Sequence, residues 1–225
     1  MSDLLQTLTE SHGFRKLPES ELETLVSNSI HRRLSDNEYL CIQEDEYPYV
    51  VVLYSGKLRW VLLSAGGKEH QLFTIEPGHV FWAHSFFDDQ PMPASLLAAS
   101  KSTHVYLWHR DTILPVLYRH PEALFDVTKK LTSIMRHARE IIYGLAFQPV
   151  AGRLASFILD KLENPSDLYL ERDMTLEDIA AVCATSPEVV CRLLYQFQTD
   201  GLLNITRTRI TLQDLGALER LVAAQ

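Results

Sequence analysis

The spacing of apolar positions changes several times along the chain, and each change marks a different kind of element. Leu4, Leu5 and Leu8, and again Leu22, Leu25 and Val26, recur at helical spacing, with Leu17-Pro18-Glu19 between them. This predicts a helical lead-in up to about Asn28. From Ile30 the pattern shortens. Residues 39–42, 49–54, 58–63, 71–75, 79–82, 95–99 and 104–108 read as short strands. Turn signals such as Ser55-Gly56, Ala65-Gly66-Gly67 and Glu76-Pro77-Gly78 separate them, so the region predicts an all-β roll or barrel. From Pro121 the helical period returns. Leu124, Val127, Leu131, Ile134, Ala138, Ile141 and Leu145 fall at alternating spacings of three and four. That is a heptad seam suited to pairing with a second helix. Arg136 and His137 lie on the same helix, toward either the roll or solvent.

After Pro149 a further helix is predicted, with Val150, Leu154, Phe157, Ile158 and Leu162 inward, before a linker at Pro165-Ser166. Then comes TLEDIAAVCATSPEVVCRLLYQFQTDGLLNITRTRIT, residues 175–211. Thr175 is the N-cap of a short helix and Asp178 a shorter stand-in for the usual capping-box Glu. Ser186 as N-cap, Pro187 in the first helical position and Glu188 in the first turn announce a second helix. Val190, Leu193, Leu194 and Phe197 face inward on it, whereas Glu188, Val189, Cys191, Arg192 and Tyr195 lie on other faces. Gly201 stops it, and a hairpin follows that turns near Arg207-Thr208. These elements predict a winged helix-turn-helix, in which Arg192 can donate a forked pair to guanine and Glu188 can accept from a cytosine amino group.

The run from Ile179 to Ile210 resembles the C-terminal domain of the cyclic-AMP receptor and fumarate-nitrate regulator (Crp/Fnr) family of transcription factors. That family's recognition helix reads roughly Ser-Arg-Glu-Thr-Val-x-Arg, and Ser186-Pro187-Glu188-Val189-Val190-Cys191-Arg192 is similar to it. The resemblance assigns base reading to Glu188 and Arg192. It extends the DNA-facing set to Thr185, Ser186, Val189, Cys191, Arg207 and Arg209. Pro187 departs from the pattern and removes one Arg contact. The segment YVVVLYSGKLRWVLLSAGGKEHQLFTIEPGHVF is similar to the same family's β-roll. The resemblance thus implies an α+β protein with a cyclic-nucleotide-binding-type β-roll (1–118), a long dimerisation helix (119–147) and a winged helix-turn-helix (148–225). It implies a homodimer on a palindromic site in double-stranded DNA, with RNA polymerase as partner if the protein activates.

Departures from the family pattern narrow the effector. The cyclic-nucleotide branch carries Gly-Glu for ribose and Arg-Ser or Arg-Ala for the cyclic phosphate. Trp82-Ala83 and Pro93-Ala94 stand in those places, so no cyclic-nucleotide binding is expected. The iron-sulfur branch needs clustered N-terminal cysteines, and only Cys41 lies in the first half. The aromatic loop around Trp82, His84, Phe86 and Phe87, together with Ser95, is left as the effector-pocket candidate. His84 falls at the axial-ligand place of the family's haem-containing gas sensors, so a haem-based gas or redox sensor is an alternative, as is an effector-independent regulator.

Composition changes little. With 46% hydrophobic and 22% charged residues the chain is an ordinary globular protein of 225 residues. It has no membrane-length apolar run and no signal-like N-terminus, which predicts a cytoplasmic protein. Three unpaired cysteines argue against a disulfide framework or structural zinc. The net charge of -8 is unusual for a DNA binder. Affinity must therefore come from locally placed Arg192, Arg207 and Arg209 and from dimerisation. No phosphate-binding Gly loop, His-Glu-x-x-His or Gly-x-Ser-x-Gly motif supports an enzyme.

Overall fold

A computed structural model describes residues 2–162, 168–172 and 174–223. Pro165 and Ser166, where a linker is predicted, lie outside the described residues. The chain divides into two compact units, one of residues 1–68 and 72–137, the other of residues 69–71 and 138–225.

The first unit opens with α1 (Ser2–Glu10), a single 3-10 turn (Phe14–Lys16) and α2 (Glu19–Ser27). The roll follows as β1 (Ile30–Leu34), β2 (Tyr39–Cys41), β3 (Tyr49–Ser55), β4 (Leu58–Leu63), β5 (Glu69–Ile75), β6 (Val80–Trp82), β7 (Ser95–Ala98) and β8 (Thr103–His109), with the one-turn α3 (Ser85–Asp88) after β6. Two four-stranded sheets result, ordered β1-β8-β3-β6 and β2-β7-β4-β5. Strand β3 explains the layering. Val50, Val51, Val52 and Leu53 are all buried, because each face of its sheet has a partner. Val50 and Val52 join Trp82 and Trp108 in a core shared with the helices. Val51 and Leu53 join Trp60, Phe81 and Leu96 in the core between the sheets. A continuous apolar run is what two-sided burial demands.

Two elements of this unit are not legible in the apolar period. Strand β1, Ile-His-Arg-Arg-Leu, is an edge strand with only Leu34 buried. Its charges suit an edge that must not recruit another strand. Helix α4 (Arg110–Arg119) holds Pro115 inside it and follows directly on β8, with His109 Nδ1 accepting the Asp111 N–H.

Helix α5 (Pro121–Phe147) is continuous over 27 residues. Part of the expected dimer seam is covered within the protomer. Val127 is fully buried in the protomer's own core, and Leu124 and Leu131 pack against that core. Those side chains are taken up within one chain, because the roll and lead-in helices need an apolar cover. Large apolar side chains left open on α5 include Phe125, Met135 and Ile142, at 62%, 72% and 65% exposure, and Leu145 of the expected seam at 42%.

In the second unit, α6 (Val150–Asp160), α7 (Leu176–Val182) and α8 (Pro187–Thr199) surround a core with Leu154, Ile179, Val190, Leu194 and Phe197 at its centre. The hairpin β10 (Leu203–Ile205) and β11 (Arg209–Leu212) takes a third strand, β9 (Tyr169–Glu171), in the order β10-β11-β9. A last helix, α9 (Leu215–Ala223), buries Leu218. Neither β9 nor α9 is anticipated from the sequence. β9 is only three residues long, and two of them are exposed.

Candidate nucleic-acid interface and effector region

The start of α7 is fixed by a complete capping box. The Asp178 N–H donates to Thr175 Oγ1, and the Thr175 N–H donates back to Asp178 Oδ2, each at 3.1 Å. The shorter Asp does what Glu usually does here. The α7–α8 turn is set at the other end. The Thr185 N–H reaches the Ala180 carbonyl at 2.9 Å and the Ala184 N–H reaches that of Ala181 at 3.4 Å. This is a Schellman closure, with Ala184 in the left-handed region at φ 49. An alanine there is strained, since this position normally goes to Gly.

Helix α8 buries Val190, Leu194 and Phe197 and exposes Glu188, Cys191, Arg192 and Tyr195. Glu188 and Arg192 are four residues apart and share a face. The Ser186 side chain, by hydrogen bonding, holds the Glu188 carboxyl below its ordinary pKa, so Glu188 stays an acceptor. Ser186 makes no side-chain cap bond, and helix entry is left to its extended backbone and Pro187. Thr185, Ser186 and Val189 are half-buried beside this face. Gly201, at φ 74, closes the helix with the Leu202 N–H on the Phe197 carbonyl at 2.8 Å.

On the hairpin, Arg207 stands exposed at the turn. Arg209, expected to meet DNA, is drawn onto its own sheet: its Nη2 lies 2.8 Å from Glu171 Oε1, and its guanidinium sits 4.1 Å over the Tyr169 ring. Strand β9, invisible in the sequence pattern, supplies both partners. Of the thiols, burial pushes Cys41 and Cys183 up to about 12, and Cys191 is exposed.

Most residues of the expected effector pocket lie in the protomer's core. Trp82 stacks on Phe14 with centroids 5.6 Å apart and meets Phe86 edge-on at 5.4 Å. Phe86 and Ser95 are fully buried, and Ser95 Oγ accepts the Gln43 N–H at 2.9 Å. Trp82 Nε1–H is buried with no acceptor among the described residues. Phe87 is part-exposed and packs against Trp82 and Phe86. His84 stacks flat on Trp60 with centroids 5.8 Å apart, and burial lowers its pKa. The neutral imidazole is therefore favoured, a form able to ligate a metal. No group of three or more His, Cys, Asp or Glu among the described residues is arranged to hold a metal ion. Open space lies elsewhere, in a cavity of about 250 Å³ between β5, β6 and α5 that includes Lys130, Ser133 and His137. Of these the sequence pattern singled out only His137.

Known proteins show the same two parts. The cyclic nucleotide-binding domain family matches residues 31–120, and the Crp-like helix-turn-helix domain family matches residues 152–221. The Cyclic AMP receptor protein of Thermus thermophilus is 24% identical over 209 residues, covering 92% of this chain and 95% of its own. Among solved structures, a CooA variant from Carboxydothermus hydrogenoformans superposes with a TM-score of 0.74 at 24% identity, covering 88% of this chain and 90% of that one. The c-di-GMP-responsive global regulator CLP of Xanthomonas campestris reaches 0.76 at 16% identity, covering 88% and 100%. No helix among the described residues is long and apolar enough to cross a membrane. A nucleotide-binding-type roll and a Crp-like helix-turn-helix, following each other along one chain, make this protein a member of the Crp/Fnr family of transcription regulators.

Proposed function

We propose that this chain is a cytoplasmic, homodimeric regulator that binds a palindromic operator in double-stranded DNA and answers to an effector other than cyclic AMP. The observation that carries the reading is the outward face of α8, where Glu188, Cys191, Arg192 and Tyr195 are exposed together on a helix closed at both ends. A major groove admits such a helix, and two of them about one DNA turn apart, ~34 Å, read a two-fold site. The apolar side chains open on α5, Phe125, Met135 and Ile142, favour a second copy of the same helix as their cover. If the protein activates, its bound dimer also meets RNA polymerase.

Exclusion of cyclic AMP is supported by chemistry at the family's nucleotide positions. Trp82, Ala83 and Ala94 are buried apolar side chains and offer a phosphate neither cation nor hydroxyl. Haem is the second reading, favoured by a neutral His84 but opposed by the stacking of its ring on Trp60. An absorption spectrum of protein expressed with haem supplied decides: a Soret band that His84→Ala removes would replace the present effector reading with haem.

The main test selects binding sites from random DNA with purified protein and measures the mass of the complex. The expected result is an inverted repeat bound by two chains. Sites without symmetry, bound by one chain, would sink the proposal.

A further inference from the structure

We infer that His31 and His104 form a chelating site for a late first-row divalent cation such as zinc, on the edge of the roll and apart from the DNA-facing helix and the expected effector region. The site follows from strand register. β1 pairs β8 antiparallel, with His31 opposite Tyr106 and Arg33 opposite His104, so the two histidines are diagonal neighbours on one face, within reach of each other's rings. On this face Trp108 is buried against the helices. Farther along it Tyr106 and His104 are half-buried, and His31 is exposed on the edge strand.

The bite fits a metal ion. His31 Nε2 and His104 Nδ1 lie 3.1 Å apart. A cation bound at about 2.0–2.1 Å from each imidazole nitrogen spans about 2.9 Å between them at a right angle and about 3.3 Å at the tetrahedral angle. The observed separation falls between the two, so a cation enters with little change in it. The rings are also held in place. His31 packs against Tyr106 with centroids 5.0 Å apart, and Tyr54 meets Tyr106 edge-on at 5.7 Å. His104 Nε2 lies 3.1 Å from Ser102 Oγ, which accepts the Arg33 Nε–H at 3.0 Å. A hydroxyl oxygen has two lone pairs and can accept from both, and a metal-bound imidazole commonly spends its other N–H on such an acceptor.

The protons balance. Each neutral imidazole has one N–H and one lone pair, and without a cation one proton bridges the facing nitrogens. Chelation needs both lone pairs, so that proton passes through solvent to the outer nitrogen of its own ring, His31 Nδ1 or His104 Nε2. Net charge is unchanged, and the rings tilt until both lone pairs meet at the cation. Imidazole ligands select zinc, copper or nickel over magnesium and calcium, which take oxygen. The chain supplies two ligands and water the rest. With the Arg33 guanidinium close by, the site is weaker than a closed structural zinc site. A bound cation ties the edge strand β1 to β8.

The test adds zinc chloride to metal-free full-length protein, followed by calorimetry up to millimolar concentration and by NMR of the imidazole nitrogens. Wild type is expected to bind one more zinc ion per chain than His31→Ala or His104→Ala, and magnesium should not take that place. Zinc held by the exposed Cys191 or by other histidines persists in all three proteins and drops out of the difference. In the NMR spectra the His31 and His104 signals should move together on adding zinc, which keeps the site testable if a variant fails to fold. Equal zinc counts in wild type and folded variants, equal filling by magnesium, or zinc that moves other histidine signals but not this pair would each overturn the site.

Discussion

Arg15 holds Asp126 through both carboxylate oxygens, Nε to Oδ2 at 2.9 Å and Nη2 to Oδ1 at 2.6 Å. The Gly13 N–H adds a third bond to Oδ2 at 2.9 Å. Asp126 is a buried acid on α5, and it fastens the turn after α1 to that helix. The hydrogen bond from Arg15 is the main reason its carboxyl titrates far below the ordinary carboxylate range; the Gly13 bond and the nearby charge of His12 act the same way.

A depressed carboxylate contributes stability that is complete above its unfolded pKa, about 4, and is lost as pH falls through the folded value. Thermal melts should therefore show the wild type losing stability as pH drops below about 4. Asp126→Ala is expected to cost ~1–3 kcal/mol at neutral pH, because it leaves the buried Gly13 N–H without an acceptor. The gap between variant and wild type should narrow in acid. A gap independent of pH would mean that the carboxylate's charge contributes nothing.

At the α7–α8 turn, Ala184 carries a left-handed backbone. Ala184→Gly should raise the melting temperature or leave it unchanged, because relief of strain offsets the added freedom of the unfolded chain. Ala184→Val should destabilise by roughly 1–2 kcal/mol or more, since a β-branched residue is worse there than alanine. A circular-dichroism melt of both variants checks the sign, and a stabilising Val would show that the turn is not held in this conformation.

The three arginines of the DNA-facing set should separate on selected operator and on random DNA. Arg192→Ala is expected to lose ~1–3 kcal/mol of specific binding and to relax preference at one base pair. Arg207→Ala should weaken both DNAs alike and lower the salt slope by about one. Arg209→Ala should change affinity less than Arg207→Ala, because Arg209 is spent on Glu171 and Tyr169. Fluorescence anisotropy at two salt concentrations distinguishes these outcomes.

Assembly should respond to the open face of α5 rather than to its first heptads. Met135→Asp and Ile142→Asp are expected to give folded monomers in sedimentation. Val127→Asp should instead fail to fold, as it buries a charge in the protomer core. Dimeric Met135→Asp and Ile142→Asp proteins would place the interface elsewhere.

What could be read in advance followed how local its cause was. Thr175, Pro187 and Gly201 act within a few residues, and the helix-turn-helix they punctuate lies where the sequence puts it. Strand β9 escaped because what makes it a strand is β11, some forty residues on. The consequence was larger than a missed element, for β9 holds the Glu171 that occupies Arg209. The seam on α5 shows the same dependence on distant partners. Apolar period reports that Leu124, Val127 and Leu131 are covered but not by whom, and the protomer's own roll reached them first. Around Trp82 the aromatic letters suggested a pocket, whereas their summed volume fills the space. The cavity by Lys130 and Ser133 joins segments far apart in sequence, and no short motif marks it.

The continuity of α5 has a mechanical result. Its roll-facing row, Leu124 to Ile134, and its open row, beginning at Met135 about one turn on from Leu131, lie on one rod at 3.6 residues per turn. Neither row can be displaced alone. Turning such a rod by about 10° sweeps side-chain tips at a radius of 5–6 Å through about 1 Å. In a close-packed joint that is enough to put a knob out of its hole. The helix thus behaves as an axle: a small twist applied on the roll side reaches whatever grips Met135.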